Sequence, residues 1–176
     1  MIYIKGIMDT ATMSNSANSL YDKWVLYAHL PHDTDWSIKS YKKIMTVTTI
    51  QEMIALYTAL PEELVKNCML FIMREGITPR WEDEKNRDGG CFSFKVPNKL
   101  VSVVWKNMSY SLVGETLSSQ SRYRKIINGI TISPKRAFCI IKIWMSDCSC
   151  QTTSILTNIP GLTKQGCIFK KHNPEY

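Results

Sequence analysis

A four-residue recurrence starting at Leu100 limits the folds open to this chain. Leu100, Val104, Met108 and Leu112 fall about one helical turn apart, and Val101, Trp105 and Tyr110 widen the stripe. Pro97, just ahead of it, suits a helix start. The helix predicted from there to about Glu115 has one broad apolar face, which must be covered by something flat. The chain supplies that surface. Trp24–Leu30, Met69–Met73, Cys91–Val96, Ile126–Ser133 and Ala137–Trp144 are short, apolar or alternating, and bounded by Pro, Gly or polar clusters, as strands are. Ser37–Val47 alternates in part and reads as one more. The last two of the five flank Pro134-Lys135-Arg136, which makes a hairpin with a basic tip.

Thr49, with Glu52 three residues later, forms a capping-box pattern. Ile50, Met53, Ile54 and Tyr57 follow at helical spacing, so a first helix is predicted over 50–59. Glu62–Val65 reads as a turn and Ser118–Lys125 as a polar, basic connection. A weak helix around Thr152–Asn158 and a short strand near Cys167–Phe169 complete the chain. Strands in hairpin-like succession with helical stripes between them define the α+β class: an antiparallel sheet with helices on one face.

The 176 residues, 44% hydrophobic and 21% charged, suffice for one core. The reading is a flexible lead-in over 1–19, rich in Met, Ser, Thr and Asn, and a single domain over 20–176. Twenty-two basic against fifteen acidic residues give +7, which suits an anionic partner such as nucleic acid or a nucleotide. No apolar run approaches the roughly 20 residues of a membrane span, and the first residues lack a signal-peptide pattern. The expectation is a cytoplasmic monomer, not membrane-bound, with reduced structural thiols. The six cysteines form no Cys-x-x-Cys pair and His29, His32 and His172 are scattered, so zinc-site spacing is absent. There is no Gly-x-Gly-x-x-Gly run and no Ser/His/Asp or Cys/His arrangement, so neither a cofactor nor catalysis is expected.

One stretch has no period at all: Trp81-Glu82-Asp83-Glu84-Lys85-Asn86-Arg87-Asp88-Gly89-Gly90. It places an indole beside a carboxylate and ends on two glycines, which can adopt positive φ in a tight turn. Its alternating charges mark an exposed loop. Alone it reads more readily as a solvated turn than as a site. Trp36, which also follows a polar turn, changes that balance. Two indoles and a carboxylate on loops can stack a flat ring and hydrogen-bond its edge.

Together these residues resemble the translation initiation factor 4E family of messenger-RNA cap-binding proteins. Trp81–Asn86 with Gly89-Gly90 is similar to the family's central motif almost letter for letter. Leu112-Val113-Gly114-Glu115, Ile143-Trp144 and Ala55-Leu56-Tyr57 match elsewhere, and the likeness covers about residues 20–147. Trp24, Trp36, Trp81, Trp105 and Trp144 correspond to five of the family's eight regular tryptophans; Tyr27 and Phe92 stand at two others.

The resemblance implies a curved antiparallel sheet of about eight strands, shaped like a cupped hand, with three helices on its convex face. It implies no enzyme activity. It implies that a 7-methylguanosine cap is stacked between Trp36 and Trp81, that Glu82 takes the guanine edge, and that Trp144 lies near the N7-methyl group. For the phosphates it implies Lys135, with Arg136 beside it; Arg122, Arg124 or Lys125 are substitutes. Two family cations are missing: an Arg after the glycines is Cys91 here, and a Lys is Ile140. On the helical face the family's scaffold-binding Trp is Ile54, and a His-Pro-Leu element is Asn18-Ser19-Leu20. Leu20 and Ile54, with the end of the second long helix, are the expected surface for a factor-4G-like scaffold or a repressor peptide. Four readings stay open: an initiation factor, a repressor or decoy using the same palm, a fold that has lost its ligand and, against the missing cofactor loop and carboxylate cluster, an enzyme acting on caps or nucleotides.

Overall fold

The computed structural model describes residues 18–174, and the first long strand begins almost at once. Strand β1 is Ser19–His29, β2 Tyr41–Thr49, β3 Met69–Arg74, β4 Gly90–Pro97, β5 Ile127–Pro134, β6 Phe138–Met145 and β7 Ile168–Lys171. Helices are α1 Ile50–Ala59, α2 Glu62–Asn67, α3 Asn98–Val113 and the four-residue α4 Ser121–Arg124. The strands form one curved antiparallel sheet in the order β2-β1-β3-β5-β6-β4-β7. This is the expected α+β layer design, with seven strands among the described residues rather than about eight.

The stripe on α3 behaves as its spacing requires. Val101, Val104, Trp105, Met108 and Leu112 are buried on the sheet, in one core with Leu26, Ile72, Phe94, Ile130 and Ile143. Burying each such side chain contributes about 1.5–3 kcal/mol. Helix α1 starts on the predicted capping box: Thr49 Oγ1 accepts from the Glu52 N–H, and Glu52 Oε2 accepts from the Thr49 N–H at 3.0 Å. Met53 and Leu56 face the core. Helix α3 ends at Val113, two residues earlier than predicted, because Gly114 caps it and Glu115 takes a left-handed φ of 54°. That turn carries the Glu115 carboxylate back to Arg74, 2.8 Å away, whose guanidinium lies over Trp24 and also pairs with Asp22.

Several expectations are corrected. The predicted strand over Ser37–Val47 begins instead as a 3-10 turn, Ile38–Ser40, in which Ser40 N–H and Oγ–H both donate to the Ser37 carbonyl. Local hydroxyl bonds of this kind compete with a ladder. Glu62–Val65 is part of α2, a helix too short to show a period. Thr152–Asn158 forms only a 3-10 turn, Thr153–Ile155. Of the expected lead-in, residues 1–17 lie outside the described residues. Asn18 and Ser19 belong to the sheet edge: Ser19 pairs with Thr49, and the Ile50 N–H donates to Asn18.

Candidate nucleotide-binding face

The sheet face turned away from the helices carries its own apolar cluster. Phe71, Met73, Ile77 and Trp144 are buried there, and Tyr27, Tyr41, Met69 and Trp81 pack against them. Directly paired residues of an antiparallel sheet share a face. One row runs Gly129, Trp144, Cys91, Lys170 across β5, β6, β4 and β7; the next runs Thr131, Lys142, Ser93, Ile168. Trp144 is only 4% exposed, and its Nε1–H donates to Thr131 Oγ1 at 2.7 Å.

Two loops rise over this face. The first, between β1 and β2, presents Trp36, which is 53% exposed. Its indole stacks on the buried His29 ring at 4.2 Å and 8°. His29 Nε2 lies 2.9 Å from the Asp35 carbonyl, and Asp35 accepts from the Ser37 N–H and hydroxyl. Those two bonds hold the Asp35 carboxyl below its ordinary range.

The second loop, between β3 and β4, presents Trp81 and Glu82. Contrary to the expected solvated turn, it is folded around a buried polar centre. Asn86 is fully buried; its Nδ2 donates to the carbonyls of Thr78 and Arg80, and its Oδ1 accepts from Asn128 Nδ2 at 2.9 Å. Asp83 accepts from the Thr78 N–H and hydroxyl and from the Lys85 N–H. Burial alone would raise its carboxyl, but these bonds outweigh burial and hold it below the usual range. Glu82 Oε2 is paired with Arg80 Nε at 3.1 Å.

His172, beyond β7, closes the loop from the other end of the chain. Its Nδ1 is 2.7 Å from the Asn86 carbonyl, and its ring stacks on Trp81 at 5.7 Å and 13° and packs against Trp144 at 4.9 Å. Burial, offset in part by that bond, lowers its pKa. Lys142 Nζ and Lys170 Nζ lie 5.8 and 6.0 Å from the Trp81 ring centre. Gly89 and Gly90 serve a purpose other than the predicted positive φ. A Cβ on Gly89 would meet the Met145 carbonyl at 1.8 Å, and one on Gly90 the Phe169 ring at 2.6 Å. They are glycines because two neighbouring strands press on them.

Trp81, Glu82 and Trp144 are thus gathered at one end of this face, with Trp36 on the loop after β1. Lys135 and Arg136 are exposed at the β5–β6 hairpin tip, where the Lys135 N–H donates to the Phe138 carbonyl. Arg124 and Lys125 are placed elsewhere. They line a cleft of about 410 Å³ with Leu20, Tyr21, Ile50 and Glu115 on the helical side, which removes them as phosphate substitutes. Ile54 is 53% exposed one turn along α1 from Ile50, outside that cleft's lining. Cys91 is buried and Ile140 half-buried. Sequence reasoning missed Asn128, His172, Lys142 and Lys170, none of which has a local signal, and read the buried Asn86 only as a letter of a motif.

The fold is a helix-backed antiparallel sheet that carries Trp36, Trp81 and Glu82 on loops at its open face. The comparisons supply the particular family. The family model for "Eukaryotic initiation factor 4E" matches residues 19–173. Factor 4E of Eremothecium gossypii is 31% identical over 158 residues, covering 86% of this chain and 69% of its own length. A factor 4E homolog of Acanthamoeba polyphaga mimivirus is 30% identical over 128 residues, 65% of this chain and 47% of that protein. The match therefore spans about half of that relative. A schistosome factor 4E, solved with m7GpppA and 4E-BP, shares the fold with a TM-score of 0.69 at 22% identity, covering 77% of this chain and 75% of that one. Factor 4E-3 of Ascaris suum, solved with an m2,2,7G cap, gives 0.67 at 20%, covering 75% of each. The chain belongs to the eukaryotic initiation factor 4E family, whose members are binding factors rather than enzymes.

Proposed function

We propose that this protein binds the 7-methylguanosine 5′ cap of messenger RNA and acts in translation initiation in the cytoplasm. The observation that carries the reading is the pair of loop indoles over the open face, Trp36 half-exposed and Trp81 beside the Glu82 carboxylate. Methylation at N7 gives guanine a delocalised positive charge. Such a ring between two indoles gains ~1–2 kcal/mol of cation–π attraction when desolvated, on top of roughly 1–3 kcal/mol of base stacking. Glu82 accepts from guanine N1–H and N2–H; adenine would set an acceptor against it and leave a carboxylate unsatisfied. Trp144 forms the floor near the methyl group, and Lys135 and Arg136 take phosphate from the hairpin tip. Arg80 competes for Glu82, so ligand binding rearranges that pair.

Tryptophan fluorescence tests this. A 7-methylguanosine nucleotide is expected to quench it at concentrations at least about tenfold below those unmethylated GTP needs, a difference worth ~1.4 kcal/mol. Trp36→Ala, Trp81→Ala and Glu82→Ala each remove most of that preference. Equal response to both nucleotides sinks the proposal.

On the helical side, the Leu20 cleft and the exposed Ile54 favour a partner that inserts an apolar helix face, either a scaffold or a repressor. The schistosome relative was solved with 4E-BP and a Caenorhabditis elegans relative with Mextli, a 4E-binding protein. Ile54 lacks the large indole anchor that dominates such contacts. A labelled scaffold-type peptide that binds the wild type and is weakened by Leu20→Ala supports the surface; no binding at micromolar peptide refutes it.

A further inference from the structure

Two lysines on the open face have no role in the reading above. Lys142 lies on β6, two residues before Trp144 and on the same side of the sheet. Lys170 lies on β7, directly across β4 from the Trp144 row through Cys91. Their ammonium groups come from two different strands to within about 6 Å of one indole, Trp81. Among the described residues neither takes part in an ion pair. His172, stacked on the same indole, is either neutral or cationic and adds no negative charge against the two lysines. Its Nε2 is itself buried without a partner. Glu82, the carboxylate next to Trp81, is already paired with Arg80, and two lysines outside any ion pair on a partly enclosed face concentrate positive potential where an anion can enter.

We infer that Lys142 and Lys170 form an anion subsite beside Trp81 that holds the polyphosphate bridge of the cap. The inference rests on the cap reading, since a base stacked on Trp81 delivers its own phosphates to this neighbourhood. Distance separates the subsite from the hairpin tip. Lys142 is two residues from Trp144, about 7 Å along the strand, whereas the tip begins beyond Cys139, five residues and about 17 Å away. The lysines therefore meet the phosphates nearest the stacked nucleoside, and Lys135 and Arg136 those further out or the RNA that follows.

The test compares 7-methylguanosine, its monophosphate and its triphosphate, with inorganic tripolyphosphate as a base-free probe, by fluorescence titration. In the wild type, affinity rises with phosphate number. In the Lys142→Gln/Lys170→Gln double variant the triphosphate's advantage over the nucleoside falls about tenfold or more. The nucleoside, which carries no phosphate, reports in the same variant that the base site is folded. An unchanged advantage overturns the subsite, and so does a loss confined to Lys135→Gln/Arg136→Gln. If the wild type binds no methylated nucleoside yet binds tripolyphosphate through Lys142 and Lys170, the subsite stands and the cap reading falls. If tripolyphosphate does not bind either, both fall.

Discussion

The two walls of the proposed site are built in opposite ways. Trp36 is held by residues close to it in sequence: His29 beneath the ring and the Asp35–Ser37 bonds beside it. Trp81 is held by residues brought from afar: Asn86 bonded to Asn128, and His172 from the end of the chain. A locally built wall survives damage to the rest of the sheet edge. A wall assembled from three segments depends on every one of them. The lesson is that the half-exposed indole is the autonomous one and the half-buried indole the dependent one.

Breaking the Trp81 centre gives the largest expected effect. Asn86→Ala removes donors to two carbonyls and the partner of Asn128 in a fully buried place. The expected loss is ~3 kcal/mol of unfolding free energy in a urea titration, since each buried group left unsatisfied costs about 1–3 kcal/mol. A loss under ~1 kcal/mol denies Asn86 that role.

His172→Ala is next, at ~1–2 kcal/mol for a buried hydrogen bond and an aromatic contact. It sharpens the comparison, because acrylamide quenching of Trp81 rises while that of Trp36 stays constant. Equal change at both indoles means the walls are not independent. His29→Ala is the converse, worth ~1 kcal/mol at the Trp36 stack, and leaves Trp81 unmoved.

The smallest effect is acid-dependent. The folded pKa of His172 lies below its ordinary 6.5. Between the two values the unfolded chain binds the proton and the folded one does not, so stability rises with pH there. The contribution is fully present above pH ~6.5 and is lost as pH falls through the folded value. Imidazole NMR titration checks this: His172 is expected to titrate below free histidine, and a midpoint at or above it contradicts the assignment.

Legibility in the sequence followed the range of the interactions. The capping box at Thr49 and Glu52, the α3 stripe and the β5–β6 hairpin depend on residues within a few positions of one another, and each forms as read. Helix α2 is too short for a period, and the 3-10 turn at Ile38–Ser40 depends on a hydroxyl bond that alternation does not reveal. The Trp81–Gly90 motif was legible as letters. Its charges suggested a solvated loop, because nothing local discloses that Asn86 would be buried or that Gly89 and Gly90 are needed for room rather than for φ.

The sequence by itself determined the class of fold, the two long helix faces and the pair of indoles with Glu82, because periodicity and residue chemistry are local properties. Tertiary structure alone decided which residues surround Trp81. Only closing β7 onto β4 carries Lys170 and His172 to the Trp81 loop, and only strand register places Lys142 on the same face as Trp144. It also decided that Arg124 and Lys125 face the helical cleft. The physical reason is that pairing is set by burial of the whole sheet, which no window of sequence contains.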